Sequence, residues 1–586
     1  MNYKSVVAVA LALACARGTP AAIDSASVPP LEYQIRYAGD SGTLTVALRA
    51  SALGSSSSNV VLELPNWGEW TSARDPYVRD LRVNRRAFAF DSAGRLRVPR
   101  DLAVGGELLI SYQLGLRAAG SAAHQERRLL PYRDSTHMFG FAINTFAQLL
   151  VDDRPVRRPS IVRVAASPND EIFTGWGGRS VAQQTATGSV ELPAENGVFS
   201  IGRVAGFATR SVNGVPVEIA QFAAGDDLTG EIAQYVESLV IAMSRTTGRG
   251  PRGPLRIIFE PQRNEGVFGG TLTNDGLVIR VPAEPFSLMA RLTLAHEVFH
   301  DWLGSHLVPD ESVTWFNEGF TDYISLWHAA ATGVVTPAQF AARMMDIERD
   351  ARRSTSLGRT RFAEPGIQWR DADGPNETMA YRGGALVAFV TDMQLRQRGA
   401  SVMDVIRHLL SRPKREYGID DIRNAITRAG ASDVYAQFID GTKVPTVRPM
   451  LLAAGFDEGP VQSASLTYLG IEARYDGADS LGIVPSVVLA IDPAGPAAKT
   501  DLRVGDRIID IGDLRGDPPM IGRAEPIRYR FGLNVVPTGA RSVPLRVVRN
   551  GTVIEVGVAP VLWAGGVRYP LRWNPERGTQ FFTVQK

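Results

Sequence analysis

The sequence predicts a multidomain α+β protein, and three observations support that prediction. The chain has 586 residues, which corresponds to about four domains of ordinary size. Apolar residues alternate with period two before residue 200, whereas they recur at helical spacing over much of 225–455. A strand-rich unit then follows from 460 to about 562.

The composition is that of a globular protein without a strong charge bias. The chain has 63 Lys and Arg against 61 Asp and Glu, a net charge of +2, and its hydrophobic fraction is 44%. This balance gives no electrostatic argument for binding nucleic acid. No run beyond the N-terminus is apolar and long enough to span a bilayer, so we expect no transmembrane segment.

The first 22 residues have the pattern of an export signal. Lys4 is followed by a short apolar run over 5–14, and Ala14-Cys15-Ala16 offers a small-residue cleavage site. We therefore expect a signal peptide at 1–22 and a protein that is secreted or exported to a bacterial periplasm. Lipidation of Cys15 is the alternative. Cys15 is the sole cysteine, so metal ligands must be histidines and carboxylates.

Residues 23–200 are predicted to form an antiparallel β domain. Leu44, Val46 and Leu48 alternate with other residues, and similar sets recur near 60 and 110 with turn residues between them. This part of the chain carries no recognisable catalytic pattern.

The pattern changes to helical near 225. Ile232, Val236 and Val240 share one helix face, and two strand segments follow before a helix with Ser287 as its N-cap and its end near Gly304. Beyond 310 the spacing predicts further helices, which should pack as a bundle. Their predicted ranges are 338–353, 381–397, 402–411, 418–429 and 433–442.

A metal-ligand pattern lies on the helix that follows Ser287. His296, Glu297 and His300 stand in H-E-x-x-H order, and residues four apart share a helix face. The two histidines can therefore hold one Zn²⁺ while Glu297 reaches a water bound to it. Glu318, in WFNEGFTDY, can supply a third ligand and leave the open fourth position of a catalytic site. Asp322, one turn later, can orient a ligand histidine.

H-E-x-x-H followed by N-E-G-F-x-D resembles the gluzincin clan of zinc peptidases, and in particular the glycyl aminopeptidase family. The resemblance covers most of 200–560. It implies that His296, His300 and Glu318 bind one zinc ion and that Glu297 is the general base. It also implies a domain order: an N-terminal β domain at 23–200, a thermolysin-like catalytic domain at 201–330, a helical domain at 331–455 and a PDZ domain at 460–562.

A tyrosine in AYRGGALVAF completes the implied machinery. The resemblance implies that Tyr381, opening a helix, stabilises the tetrahedral oxyanion, with Gly384 or Gly383 as the glycine of its motif. In the common form of the family's motif a lysine precedes the glycine. In this chain that position is Gly383 if Gly384 is the glycine of the motif, or Arg382 if Gly383 is. The alternative role for Tyr381 is packing on an amphipathic helix.

A second departure concerns the substrate's free amine. In the resembling family a glycine-rich strand carries a glutamate that binds this amine. Gly269 and Gly270 are present and could line an extended peptide, but Thr271–Thr273 follow them without an acid. Asp275 and Glu265 are the nearest carboxylates. A simple glycine turn is the alternative.

The C-terminal unit resembles a PDZ domain. Leu469, Gly470 and Ile471 match the loop that binds a peptide carboxylate, and a strand–helix–strand segment with its helix at 495–501 follows. The resemblance implies docking of a peptide C-terminus by strand addition. A structural module without a ligand is the alternative.

These observations predict an exported zinc metallopeptidase that acts on a peptide or protein substrate, with aminopeptidase as the leading activity. Because the amine-binding glutamate is missing, an endopeptidase without free-amine specificity is a close alternative. A zinc-stabilised scaffold that binds peptides through the PDZ domain is a further alternative from a different functional class.

Overall fold

The computed structural model describes most of the chain between residues 29 and 583. The predicted signal at 1–22, with Cys15, lies outside the described residues. Within the described part of the chain, no helix combines the length and the apolar character that crossing a membrane requires. The described ranges are 29–37, 42–51, 53, 59–64, 77–91, 94–103, 107–118, 130–156, 158–167, 170–181, 186–192, 197–222, 225–262, 269–273, 276–282, 286–352, 354, 356–365, 367, 375–459, 462–463, 467–475, 486–511, 542–562, 567–568, 571–578 and 580–583.

The chain divides into two compact units. One contains the described residues up to Glu237 together with Gly253–Ala290, and the other contains Ser238–Arg252 and the described residues from Arg291 onward. The first is rich in strands, and the second contains most of the helices. The protein is therefore multidomain α+β, as the sequence predicts.

The N-terminal region forms three sheets around one apolar core. The alternation at Leu44, Val46 and Leu48 puts all three side chains into that core. Among the described strands of these sheets, pairing is antiparallel except in two parallel pairs: Leu31–Tyr37 with Arg158–Ala165, and Arg117–Ala118 with Tyr132–Arg133. The strands of each parallel pair are separated by a long stretch of chain, as parallel pairing requires.

The three sheets have the following strands in spatial order. The first has Ala186–Leu192, Arg158–Ala165, Leu31–Tyr37, Thr43–Ala50, Leu108–Gly115, Val78–Val83 and Arg86–Ala87; the second has Gly178–Val181, Glu171–Thr174, Val198–Gly202, His137–Phe141, Tyr132–Arg133 and Arg117–Ala118; the third has Arg154–Pro155, Gln148–Val151, Val60–Glu63 and Arg95–Arg97. Short helices are Arg100–Ala103 and the 3₁₀ turn Ala142–Asn144.

A five-stranded mixed sheet follows in the same unit. Its second and third strands are parallel, as are its third and fourth, and the helix Thr229–Thr247 makes the first of these crossovers. Gly269–Thr273 lies at one edge of this sheet. The spatial order is Val204–Val212, Val215–Phe222, Leu255–Gln262, Gly276–Pro282 and Gly269–Thr273.

Three helical segments position the site, and we name them here. The motif helix is Leu288–Phe299, the glutamate helix is Thr314–Ala331, and the crossing helix is Gly384–Arg396. The Ser287 hydroxyl accepts a hydrogen bond from the Ala290 amide at 3.2 Å, which is the predicted N-cap. The π turn, Met379–Gly383, runs directly into the crossing helix, so the single helix predicted over 381–397 is corrected to a π segment followed by an α-helix.

The other predicted helices are present with small shifts of their ends. Thr336 forms a capping box with Gln339 at the start of Pro337–Ala351. The predicted helix over 433–442 is one α-helical turn followed by a π segment. The remaining elements here are Glu311–Val313, Pro375–Thr378, Val402–Leu410, Ile419–Ala429, Ser432–Val434, Tyr435–Ile439 and Val447–Ala453, with a strand pair of Val308–Pro309 and Glu416–Tyr417.

The C-terminal module is a five-stranded antiparallel sheet over a small core that includes Leu469, Val488 and Leu545. The helix predicted at 495–501 is a single 3₁₀ turn, Ala497–Lys499. The spatial order is Ile471–Tyr475, Ser486–Ile491, Arg507–Ile511, Val543–Arg549 and Thr552–Val558. Flanking pairs are Phe456–Glu458 with Leu571–Trp573, Gln462–Ser463 with Val567–Arg568, and Thr467–Tyr468 with Val561–Leu562, and Pro575–Gly578 is a last helical turn.

Candidate metal centre and active site

Two glycines let the helices of the site approach to backbone contact. A Cβ added to Gly319 of the glutamate helix would lie 2.4 Å from the Cα of Gly384. A Cβ on Gly384 would lie 2.3 Å from the carbonyl oxygen of Trp315. Neither position can therefore hold a larger residue without displacing a backbone. This contact joins the segment that carries Glu318, next to Gly319, to the segment that carries Tyr381, three residues before Gly384.

The two histidines and the glutamate meet as a buried triad. The Nε2 atoms of His296 and His300 are 2.9 Å apart, and each lies 3.4 Å from Oε2 of Glu318. All three side chains are at most 3% exposed. No fourth His, Cys, Asp or Glu joins this group among the described residues.

The geometry of the triad fits a metal ion. Zinc bonds to nitrogen and oxygen are roughly 2.0–2.2 Å, so two ligand atoms of a tetrahedral site are about 3.3 Å apart. The three observed separations bracket that value. The donor set of two imidazoles and a carboxylate is also one that binds zinc.

Hydrogen bonds on the far side of each imidazole fix how it faces the triad. Nδ1 of His296 lies 2.8 Å from Oδ1 of Asp322, and Nδ1 of His300 lies 2.8 Å from the carbonyl oxygen of Leu303. Both acceptors require a proton on Nδ1, so in the neutral rings both Nε2 lone pairs point at one another. Two such lone pairs 2.9 Å apart would repel, so this contact requires a positive charge between the two nitrogens, either a proton or a metal ion.

The surrounding charges favour a cation at this point. Burial alone would raise the pKa of Glu318, but the two imidazoles outweigh burial and lower that pKa to about 2. Burial likewise opposes ionisation of Asp322, yet Arg382 and His296 bring its pKa to about 2. Burial would lower the pKa of His296, but Asp322 and Glu318 raise it to about 10. Two buried carboxylates are thus held ionised beside the imidazoles.

The predicted catalytic residues lie next to the triad. Glu297 is fully buried on the motif helix between the two histidines. The ring of Tyr381 stacks beside His296 with 6.3 Å between ring centroids. Tyr381 belongs to the π turn, which is a geometry that recurs at functional sites.

Three residues that contact the site escaped the sequence analysis. Arg382 donates to Oδ2 of Asp322 at 2.7 Å, and the Asn317 amide donates to Oε1 of Glu318 at 3.1 Å. The Tyr417 hydroxyl donates to Oδ1 of Asn317 at 3.4 Å. Of these three residues, only Asn317 could have been identified from the sequence, because it directly precedes Glu318 in the N-E-G-F motif. Tyr417 and Arg382 lie far from their partners in sequence.

The remaining predicted binding residues lie elsewhere in the chain. Gly269 and Gly270 pair with Arg280 and Ile279 on the edge strand of the mixed sheet, and Asp275 lies outside the described residues. The acid on the other side, Glu265, also lies outside them. Leu469, Gly470 and Ile471 belong to the C-terminal module, where Gly470 has the left-handed φ of +74°.

Comparisons with known proteins bear on the fold. An aminopeptidase N family protein from Idiomarina loihiensis superposes with a TM-score of 0.68 over 94% of this chain and 100% of its own, at 16% sequence identity. An M1 zinc metallopeptidase from Deinococcus radiodurans matches with a TM-score of 0.46 over 72% of this chain and 95% of its own, also at 16% identity. No family model and no curated protein matches the sequence. The first similarity shows that the chain shares the fold of that aminopeptidase N family protein.

Proposed function

We propose that the protein is an exported zinc metallopeptidase that hydrolyses peptide bonds, with aminopeptidase as its leading activity. The single observation that carries the proposal is the buried triangle of His296, His300 and Glu318 donor atoms, with sides of 2.9, 3.4 and 3.4 Å. The shared fold with an aminopeptidase N family protein supports the same direction. The export signal predicted at 1–22 supports a location outside the cytoplasm.

In the proposed reaction each residue of the site has one task. His296, His300 and Glu318 would hold one zinc ion, which when bound would supply Lewis acidity toward the substrate carbonyl and the attacking water. Glu297 accepts the proton from the attacking water and delivers it to the leaving amine. Tyr381 donates its phenolic hydrogen to the oxyanion that develops on the carbonyl oxygen.

Replacement of Glu297 tests the proposal. Glu297→Gln keeps the ligand set but removes the base, so it should retain zinc and lose activity by about 10³-fold or more. Peptide hydrolysis and metal content are measured together on wild type, Glu297→Gln and the exposed control Glu311→Gln, which should match wild type. Activity of the Glu297→Gln protein within a factor of about three of wild type would contradict the assignment.

The position of cleavage is the open point within this function. An amine-binding carboxylate is absent from Gly269–Thr273, and a buried ammonium group needs such a partner. This observation favours endopeptidase activity as the second candidate. One peptide is offered with a free and with an acetylated N-terminus, and products are identified by mass. Internal cleavage of the acetylated peptide would replace the aminopeptidase assignment, whereas sequential release from the free peptide alone would support it.

The C-terminal module is proposed to act as a PDZ domain that docks a peptide C-terminus. Ile471–Tyr475 is an edge strand of the module's sheet, and Gly470 just before it adopts the backbone conformation that a tight carboxylate-binding loop needs. A peptide end would add beside this strand, with its carboxylate at Leu469, Gly470 and Ile471. Loss of peptide binding in Gly470→Val, with zinc content unchanged, is the expected result.

A further inference from the structure

A cavity of about 400 Å³ lies in the helical unit, apart from the residues of the metal triad. It opens between the end of the crossing helix, the helix Val402–Leu410 and the last described residues of the chain. This volume is at the lower end of the range of small-molecule sites, roughly 300–1,000 Å³. None of the five residues assigned to metal binding, proton transfer or oxyanion stabilisation lines it.

One wall of the cavity is apolar and well packed. Trp327, Met393, Met403 and Phe581 line it and are each at most 6% exposed. The indole N–H of Trp327 donates to the carbonyl oxygen of Phe581 at 2.9 Å, which ties the C-terminal segment to the glutamate helix. The wall therefore presents fixed aromatic and thioether surface rather than mobile side chains.

The lining of the cavity also carries positive charge. Three arginines line the cavity, Arg396, Arg407 and Arg577, and no Asp or Glu is among its lining residues. The Arg396 guanidinium lies 5.1 Å from the Trp327 ring and 5.0 Å from the Phe581 ring, so it joins the charged part of the lining to the apolar wall.

Each arginine is fixed by one carboxylate that lies outside the lining. Arg396 donates through Nε to Asp392 at 2.7 Å. Arg407 pairs with Asp404 and donates to the carbonyl oxygen of Thr246 at 2.7 Å. Arg577 pairs with Asp457 and donates to the carbonyl oxygen of Leu452 at 3.3 Å. A guanidinium has five N–H donors, so these contacts orient the groups without using all their donors. Arg407 and Arg577 are 44% and 56% exposed, which leaves them accessible to a solute.

We propose that this cavity binds a small organic carboxylate, whose apolar body contacts Trp327 and Phe581 and whose carboxylate pairs with Arg407 and Arg577. Guanidinium groups match the planar geometry of a carboxylate, and the apolar wall gives the rest of such a ligand a dry surface. Two sources share this chemistry, a fatty acid and the C-terminus of a short peptide product.

Calorimetric titration of the full chain separates these sources. Octanoate represents the fatty acid and N-acetyl-L-phenylalanine represents the peptide end, while octanol and N-acetyl-L-phenylalaninamide are their neutral counterparts. At least one acid should bind about tenfold more tightly than its neutral counterpart. The acid that binds identifies the source. The proposal is overturned if neither acid binds at up to about 10 mM, or if acids and neutral compounds bind equally.

Variants locate the site. Arg407→Gln and Arg577→Gln should each weaken binding of the acid by about threefold or more, whereas Arg428→Gln, an exposed arginine outside the lining, should leave it unchanged. Hydrogen exchange gives a second readout: the acid should slow exchange over 396–407 and 577–583 and leave the motif helix unaffected. Protection confined to the motif helix, or equal affinity in all three variants, would overturn the proposal independently of the peptidase function.

Discussion

At the scale of single residues, a chain of hydrogen bonds extends outward from the metal triad. Arg382 donates to one oxygen of Asp322, and the other oxygen of Asp322 accepts from Nδ1 of His296, at 2.7 and 2.8 Å. A carboxylate held on both sides cannot rotate away from the ring. Arg382 therefore orients His296 through Asp322, and with respect to a metal ion in the triad it would be a positioning residue.

Loss of this support should weaken metal binding. Arg382→Gln removes the charge that holds Asp322 ionised and oriented, so zinc affinity should fall by about 10–100-fold, and Arg382→Lys should recover part of it. Competition with a chromogenic chelator measures the affinity, with the exposed Arg361→Gln as a control. Unchanged affinity in Arg382→Gln would show that Asp322 is held by other groups.

A second buried cluster, in the strand-rich unit, has a pH-dependent group at its centre. His137 contacts Asp134 through Nδ1 at 3.1 Å and Glu260 through Nε2 at 3.0 Å, and Glu260 is also bound by Tyr132 and Arg280. Burial opposes charge on His137, but the two carboxylates outweigh burial and raise its pKa to about 9.

This raised pKa predicts a loss of stability in alkali. Because the folded pKa of His137 exceeds the unfolded value of 6.5, its stabilising contribution is complete below about pH 6.5 and is lost as the pH rises through about 9. The difference in Tm between wild type and His137→Gln should therefore shrink between pH 7 and pH 10. His306→Gln is the matched control, because His306 has a lowered pKa and stays neutral over that interval. A constant difference for His137→Gln would contradict the prediction.

The residues of the site differ in how far the sequence alone could predict them. His296, Glu297 and His300 are defined by spacing within one helix, and Asp322 by one turn from Glu318, so local geometry sufficed. Arg382 contacts Asp322 across 60 residues. No periodic pattern encodes such a partner, because it depends on how two helices cross.

At the scale of elements, the glutamate helix and the crossing helix pack so closely that no side-chain atom fits between them. A Cβ atom added to either Gly319 or Gly384 would lie less than 2.5 Å from a backbone atom of the other helix. Backbone atoms cannot rotate aside as a side chain tip can. The glycine in N-E-G-F and the second glycine of AYRGG are therefore explained by packing.

Substitution at this crossing should affect stability and catalysis together. Gly384→Ala must push the two helices apart, which should cost about 3 kcal/mol or more and shift Tyr381 relative to His296. Thermal unfolding and peptide hydrolysis are the measurements. Gly230→Ala serves as the control because a Cβ there meets nothing within 4 Å. Wild-type values for both quantities in Gly384→Ala would refute the packing argument.

Helices with a regular apolar face were predictable, while the π turn was not. Leu386 and Phe389 are buried as expected in the crossing helix, which is buried on all sides over 384–393, and Thr336 marks the start of Pro337–Ala351. One extra residue in the π turn changes the phase over only five residues, 379–383. Hydrophobic periodicity is judged over three or four helical turns, so it cannot detect a change that is confined to five residues.

At the scale of the whole molecule, the hydrophobic periodicity and the chain length predicted the multidomain α+β architecture. They did not predict how the chain divides into two compact units. The sequence predicts a domain at 201–330, and the division between the two compact units, between Ala290 and Arg291, falls within that range. The domain boundaries at 200, 330, 455 and 562 remain predictions. Composition shifts mark linkers, but not which segments share a core.

Removal of the metal should lower the stability of the folded chain. A ligand that binds only the folded state stabilises it by about 3 kcal/mol when present at roughly 100 times its Kd, and the triad exists only in the fold. A chelator should therefore lower Tm and abolish hydrolysis, and added zinc should restore both. Glu318→Gln, which lacks a ligand, should show a smaller chelator effect. Chelation that lowers Tm and leaves hydrolysis intact would favour a structural role for the metal.

The π turn has a consequence for changes in chain length. A π turn is an α-helix with one residue too many, so deleting Gly383 would give a continuous α-helix without disturbing the phase of Gly384–Arg396. The residues upstream of the deletion would rotate by about 100° around the helix axis. Tyr381, which is upstream of the deletion, would therefore face away from His296, while the crossing helix stayed in register. A one-residue deletion at this turn is thus a change that would alter the chemistry of the site while leaving the crossing helix in place.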